Sequence, residues 1–456
     1  MAYTATNPYN GEVIQEFTDT TDKEIEDLLD KAESYYQKAK RVDFAKRADL
    51  LNRLAGEFEA NLEDYARLSS TNMGKLIGES RTEVNKIVNY ARYFATQGPA
   101  FLQPKNYDKL SVGSTAHVEF SSIGIVLAVE PWNFPFTQVM RVFAPNFILG
   151  NPVILKHASI VPQAAQAFEK ACQKVGIPEG AFANIFATHD QIDKIIDDPR
   201  VQGFALTGSE QAGSNLAAKA TKNLMKTTLE LGGTDIFAVL DDADIDKAAK
   251  DAAQARLANA GQVCTAAKRY LVSDKIYDEF LDKVKREFDT YQPGNPLNEE
   301  TTLAPLSSQS AKEKLQEQVE KVVAGGSKIL YGNLNVDEGP GFQFSPIILT
   351  GMERNNPMYD EELFGPVAQI YRFSSEDEMI KMANDSRHGL GGAIYTADVK
   401  HGNQLATKIE TGQVAINQVL DEQAEVPFGG VKSSGYGREL SDWGIYEFAN
   451  IKTVLN

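Results

Sequence analysis

Cysteine is scarce in this chain: only Cys172 and Cys264 occur among 456 residues. Two thiols so far apart make no disulfide framework, which fits a reducing compartment, the cytoplasm. Positive charge is also short. Against 63 Asp and Glu stand 46 Lys and Arg, a net charge of −17. That balance repels phosphate backbones, so no nucleic-acid partner is expected. No run approaches the roughly 18–20 apolar residues of a membrane span, so no membrane role is expected either. The start, Met1-Ala2-Tyr3-Thr4-Ala5-Thr6-Asn7-Pro8, lacks the basic region and apolar core of a signal peptide. The G-x-G-x-x-G fingerprint after a strand is missing too, so a nicotinamide cofactor cannot be read from that pattern. No metal site is read.

What is present suits a large globular enzyme of two or three domains, with 42% hydrophobic and 24% charged residues. The first hundred residues read mainly as helix. Thr21-Asp22-Lys23-Glu24 has the form of a capping box. Apolar residues then recur at helical spacing: Ile25, Leu28 and Leu29, then Leu51, Leu54 and Phe58, then Ile87, Val88 and Ala91. No chemistry is read there. Near residue 101 the pattern changes, and 112–120 alternates like a strand or hairpin arm. An α/β alternation follows. Strands are predicted at 123–129, 152–156, 183–187 and 201–206, with helices at 139–149, 162–175 and 209–220. Such units predict a parallel sheet covered on both faces. A second block opens with a strand at 235–240, a helix at 244–258, a strand at 269–272 and a helix at 276–288. The junction falls near Gly232-Gly233.

Three residues carry chemistry when taken together. Cys264 closes Asn259-Ala260-Gly261-Gln262-Val263-Cys264. A lone cysteine is more often a small buried residue. Glu230, among apolar neighbours and before Leu231-Gly232-Gly233, suits a base with a raised pKa, or is a glutamate at a strand end. Asn133, within Pro131-Trp132-Asn133-Phe134-Pro135, is a turn former or an amide aimed at an oxyanion. Jointly they suggest acyl transfer with a thiolate nucleophile, an oxyanion donor and a base. Thr207-Gly208-Ser209-Glu210-Gln211-Ala212-Gly213 follows a predicted strand. It is an ordinary strand-to-helix turn or a phosphate cradle of free amides. Lys156 ends a strand where α/β sheets open their ligand crevice, or is a solvated loop lysine.

Glu361-Glu362-Leu363-Phe364-Gly365-Pro366 and the run from Pro427 through Gly429-Gly430 to Gly435 complete the set. Together these segments resemble the aldehyde dehydrogenase superfamily, from about Asn7 to the C-terminus. Lys156-His157-Ala158, Gly261-Gln262-Val263-Cys264 and Gly437-Arg438-Glu439-Leu440 resemble the bacterial succinate-semialdehyde dehydrogenase branch. The resemblance implies an α/β fold in three parts. A Rossmann-type NAD(P)-binding domain spans 1–105 and 123–232, and a catalytic domain spans 233–434. A small β oligomerisation element joins 106–122 to 435–456, so a homodimer or homotetramer is expected.

The resemblance also implies roles. Cys264 is the nucleophile, Asn133 and the Cys264 N–H hold the oxyanion, and Glu230 activates water. The cofactor, NAD or NADP, meets Trp132, Lys156, Ser159, Thr207, Gly208, Ser209, Gly213, Leu231, Gly232, Glu362 and Phe364. Glu439 matches a second acid assigned to proton relay. Three departures stand out. Ser159 replaces a glutamate that repels a 2′-phosphate, so NADP is tolerated. Val142 replaces a relay lysine. Ala258 replaces one of two arginines of the semialdehyde enzymes, while Arg141 keeps the other and is expected to pair with the substrate's distal carboxylate. The implied reaction is oxidation of succinic semialdehyde to the acid through a thiohemiacetal and a thioester. The alternative is a broad aliphatic or aromatic aldehyde dehydrogenase.

Overall fold

The computed structural model describes residues 3–40, 44–334 and 340–456. Two largely parallel sheets organise them. The first runs, edge to edge, Gly435–Tyr436, Lys226–Glu230, Val201–Thr207, Ile125–Glu130, Val153–His157 and Phe182–Asn184. Its pairs are parallel except where Gly435 lies antiparallel to Glu230. The second runs Lys328–Tyr331, Ile347–Thr350, Val367–Phe373, Arg269–Ser273, Ile236–Val239, Gly392–Tyr395 and Ala415–Ile416. Only its Lys328–Tyr331 edge is antiparallel. The chain crosses from one sheet to the other through 231–235.

The central strands are continuous apolar runs because helices cover both faces of the sheet. On one face Leu51, Phe58, Phe94, Phe143 and Phe147 share a core with the strand residues Val126 and Ala128. On the other, Leu29, Ile192, Ile195 and Ala217 pack on Ile125 and Leu127. The capping box forms as read: Thr21 Oγ1 accepts from the Glu24 N–H, and the Glu24 carboxylate accepts from the Thr21 N–H.

Several elements differ from expectation. The N-terminal region is not all helix, since Tyr3–Thr6 and Val13–Phe17 form an antiparallel pair. Strands of four and five residues are too short to show a clear period of two. The arm expected at 112–120 starts later, as Ala116–Ser122, between Lys105–Tyr107 and the C-terminal strand Ala449–Leu455. Val112 lies outside it and is 83% exposed. The strand expected at 183–187 is Phe182–Asn184. The helix His189–Ile196, started by a second capping box of Thr188 and Gln191, went unread. The helix expected to reach 258 stops at Leu257. Beyond it Asn259, Ala260 and Gly261 adopt left-handed φ values of 49°, 51° and 74°.

Phe143 is fully buried. It stacks on Phe147 at 5.2 Å and meets Phe168 and Phe182 edge-on. Phe143→Ala should cost about 3–5 kcal/mol. The urea midpoint would fall accordingly, and an unchanged midpoint would refute this packing account.

Candidate active site

Two loops meet at the carboxyl end of the first sheet, and one helix holds both. Glu83, on the helix Ile77–Phe101, forms an ion pair of 2.5 Å with Lys75, and both side chains are fully buried. The other oxygen of Glu83 accepts from the backbone N–H groups of Phe136 and Thr137, at 2.8 and 3.1 Å. It thus satisfies free amides where the helix Thr137–Leu149 begins. The Lys75 ammonium also sits 3.7 Å from the Phe134 ring centroid. One helical turn before Glu83, Glu79 accepts from the Asn259 N–H at 2.8 Å. Glu83 therefore fixes the Asn133 loop, and Glu79 fixes the Cys264 loop.

The Cys264 loop is braced from its other side as well. Arg256 donates to the carbonyls of Gly261 and Ala267, at 2.6 and 3.1 Å. Its side chain is fully buried. Gly261 leaves no room for a side chain, since a Cβ there would lie 2.2 Å from the Gly365 carbonyl oxygen. The two loops are stitched together: the Asn133 amide donates to Gln262 O and the Asn259 amide to Asn133 O, each at 3.1 Å. The second amide hydrogen of Asn133 and the backbone N–H of Cys264 have no partner among the described residues.

Asn133, Glu230 and Cys264 open on one cavity of about 800 Å³. Burial raises the Glu230 carboxyl well above the usual range, the Glu439 charge adds to this, and Arg141 opposes it. Neither Glu230 oxygen has a hydrogen-bond partner among the described residues. Burial pushes the Cys264 thiol up to about 12, with Glu422 adding and Arg141 and Lys268 opposing. At neutral pH such a thiol is protonated, so a nucleophile here needs a base.

Trp132, Thr207, Gly208, Ser209, Leu231, Gly232, Glu362 and Phe364 line the same cavity. Ser209 caps the helix Glu210–Lys222, whose first residues Glu210 and Gln211 line the cavity. Gly232 keeps the wall thin, since a Cβ there would lie 2.3 Å from Glu362 Oε2. These residues fit a dinucleotide. Lys156 and Ser159 lie outside the cavity lining. Lys156 stands 5.9 Å from the Tyr3 ring, and the Ser159 carbonyl accepts from the Thr4 N–H. Gly213 is also outside the lining; a Cβ there would meet the Leu231 side chain at 2.6 Å, so it serves helix-to-sheet packing.

Arg141 departs from the expected open anchor. Its side chain is fully buried and held by Glu422 at 2.9 Å and Glu439 at 2.7 Å. A buried guanidinium without counter-ions would be costly, and these two carboxylates supply them. Sequence reasoning missed Glu79, Glu83, Glu422 and Lys268. Lys268 donates to the Cys264 carbonyl at 2.6 Å and pairs with Glu362 at 2.9 Å. Its one signal is a lysine directly before an apolar strand, whereas Lys156 stands near the end of one. The signal for Glu83 is a carboxylate in helical register with Ile87.

The aldehyde dehydrogenase family model matches residues 1–454, and the chain belongs to that family. A succinate-semialdehyde dehydrogenase [NADP(+)] of Deinococcus radiodurans is 41% identical, over 99% of this chain and 94% of that protein. One from Mycobacterium ulcerans is 39% identical, over 100% and 99%. Among solved structures, succinic semialdehyde dehydrogenase from Streptococcus pyogenes in complex with NADP+ superposes with a TM-score of 0.97. It is 44% identical and covers 99% of each chain.

Glu83→Gln should strip Lys75 of its counter-charge and cost about 3–5 kcal/mol. Thermal melts check this, and adding Lys75→Met should restore part of the loss. A single variant as stable as the parent would contradict the role given to this pair.

Proposed function

We propose that this enzyme oxidises succinic semialdehyde to the carboxylic acid with NADP as acceptor. The observation that carries the reaction type is the convergence of Cys264, Asn133 and Glu230 on one cavity beside a glycine-thinned wall. The substrate and cofactor are supported by the names of the relatives and by the uncharged Ser159. Compartment and assembly belong to the same reading. Among the described residues no helix is long and apolar enough to cross a membrane. Two free cysteines suit the cytoplasm. Among the described residues the strand Ala449–Leu455 leaves one edge of its sheet unpaired, with Ile451 and Leu455 exposed. Such an edge suits pairing with a second copy, as in a homodimer or homotetramer.

In this mechanism the Cys264 thiol passes its proton through the Glu230 carboxylate to solvent, and its sulfur attacks the aldehyde carbon. The free amide hydrogen of Asn133 and the Cys264 N–H hold the resulting alkoxide of the thiohemiacetal. NADP held by Ser209, Gly232, Glu362 and Phe364 would supply the acceptor for the hydride that leaves this carbon, and a thioester remains on Cys264. Glu230, as carboxylate, takes a proton from water while the water oxygen attacks the thioester carbon. The carbon–sulfur bond then breaks, releasing the acid and the Cys264 thiolate. Glu362, tied to Lys268, would hold the nicotinamide ribose beside Phe364. A second reading, a broad aldehyde dehydrogenase, is favoured by one observation: Arg141 already has two carboxylate partners.

Cys264→Ala should abolish turnover, and Glu230→Gln should give one burst of reduced cofactor and then stall. Steady turnover in either would remove the assigned role. The pH profile adds a further check. Water activation needs the ionised Glu230, whose pKa is raised, so the hydrolytic rate is lost as pH falls through that raised value. Glu439→Gln removes a charge that raises it, so the acid limb should move to lower pH. Substrate class is tested by comparing succinic semialdehyde with butyraldehyde, using NAD and NADP separately. A clear preference for the carboxylated aldehyde sustains the proposal, and equal rates for both sustain the broad enzyme.

A further inference from the structure

Among the described residues Arg141 has three polar partners. Glu439 Oε2 binds its Nε, Glu422 Oε2 binds its Nη1, and the Gln138 carbonyl accepts from its Nη2. The Phe428 ring covers one face, with its centroid 4.7 Å from the guanidinium carbon. Two of the three partners are built in. Glu439 exchanges backbone hydrogen bonds with Phe428 in both directions, at 2.8 and 2.9 Å. Gln138 is buried on the helix Thr137–Leu149 and forms part of the cavity wall.

Glu422 is different. It lies in an irregular stretch between the strands Ala415–Ile416 and Val431–Lys432, and its neighbours Asp421 and Gln423 are exposed. Its own side chain is 12% exposed, against none for Arg141, so it sits on the outer side of the guanidinium. Lys86 pairs with Asp421 next to it, and the Tyr90 hydroxyl donates to it at 3.2 Å. Burial works against its charge, but Arg141 and Lys86 outweigh burial and keep the carboxyl below the usual range. Both Glu422 and Arg141 act on the Cys264 thiol, so the pair is within electrostatic reach of the nucleophile.

We propose that Glu422 stands in for the substrate's distal carboxylate, occupying Arg141 in the free enzyme and swinging out when a carboxylated aldehyde takes its place. This deepens, and rests on, the succinic semialdehyde reading. Charge decides between exchange and addition. A third carboxylate laid onto the site would meet two like charges and one cation. Exchange keeps the count at two, and Lys86, which already acts on Glu422 and pairs with Asp421, stays beside the displaced carboxylate. An uncharged aldehyde brings nothing to exchange, so it leaves the Arg141–Glu422 pair intact. Glu422 is thus a specificity residue that sets the apparent affinity for carboxylated substrates, because its own occupancy of Arg141 must be overcome.

The test compares the parent, Glu422→Gln and Glu422→Asp, each checked by thermal melt. In Glu422→Gln the ratio of kcat/KM for succinic semialdehyde to that for butyraldehyde should rise about tenfold, through KM. Succinate, used as a dead-end probe with butyraldehyde as substrate, should inhibit about tenfold more tightly. Both gains should vanish when Arg141→Ala is added. A ratio and a succinate affinity that stay level or fall would overturn the proposal. If Glu422→Gln does not fold, Glu422→Asp carries the same test, since its shorter side chain retracts from Nη1. A parent inactive on succinic semialdehyde whose variant gains that activity would sustain the role of Glu422 while removing the substrate reading. A parent active on it with unresponsive variants would do the reverse.

Discussion

A buried ion pair underlies the arrangement of the site. Lys75 and Glu83 lie out of contact with water, and their mutual charge is what permits either to be there. Glu83 then spends its second oxygen on two amides of the Asn133 loop. With Glu79 holding Asn259 from the preceding turn, one face of one helix sets the separation of the two loops. The short bonds between Asn133, Gln262 and Asn259 can form only because that separation is already correct. Strain at the left-handed Asn259 and Ala260 is tolerated for the same reason: the bonds from Glu79 and Arg256 leave the turn little alternative.

A second theme is the crowding of carboxylates beneath the cavity. Glu130, Glu230 and Glu439 are all buried, and burial raises each of them. Arg141 is the cation common to all three, and Glu422 draws on it as well. Acidity, charge balance and the fit of a carboxylated ligand are therefore set around one guanidinium. A change at any member of this group should be felt by the others, so single substitutions here will not add simply.

The fold was legible where periodicity was long and local. The apolar run at 123–129 became Ile125–Glu130, and the helix read at 209–220 became Glu210–Lys222, capped by Ser209. Among strands of four or five residues, Val153–His157, Ile236–Val239 and Arg269–Ser273 stood out because they alternate with clear helices, while Tyr3–Thr6 and Ile347–Thr350 have no such neighbour and were not legible. Around the cavity, residues within compact motifs stood out: Asn133 between prolines, Glu230 before paired glycines. Glu79, Glu83 and Glu422 did not. Their meaning comes from partners remote in sequence, Asn259 being 180 residues from Glu79. On a helix otherwise readable as amphipathic, a carboxylate facing inward looks like a charge at the edge of the polar face until its partner is seen. Arg141 was visible, but the two carboxylates that enclose it were not.

The C-terminal run joins two places that otherwise look separate. Gly435 pairs with Glu230 at the edge of the first sheet, and from Ala449 the same chain becomes the strand Ala449–Leu455. Only the short helix Ser441–Glu447 lies between them. Anything that docks along the open edge of that strand therefore pulls on a short tether whose other end is the backbone beside Glu230. In the assembly proposed above, dilution would then reach the backbone beside Glu230 as well as the size of the particle.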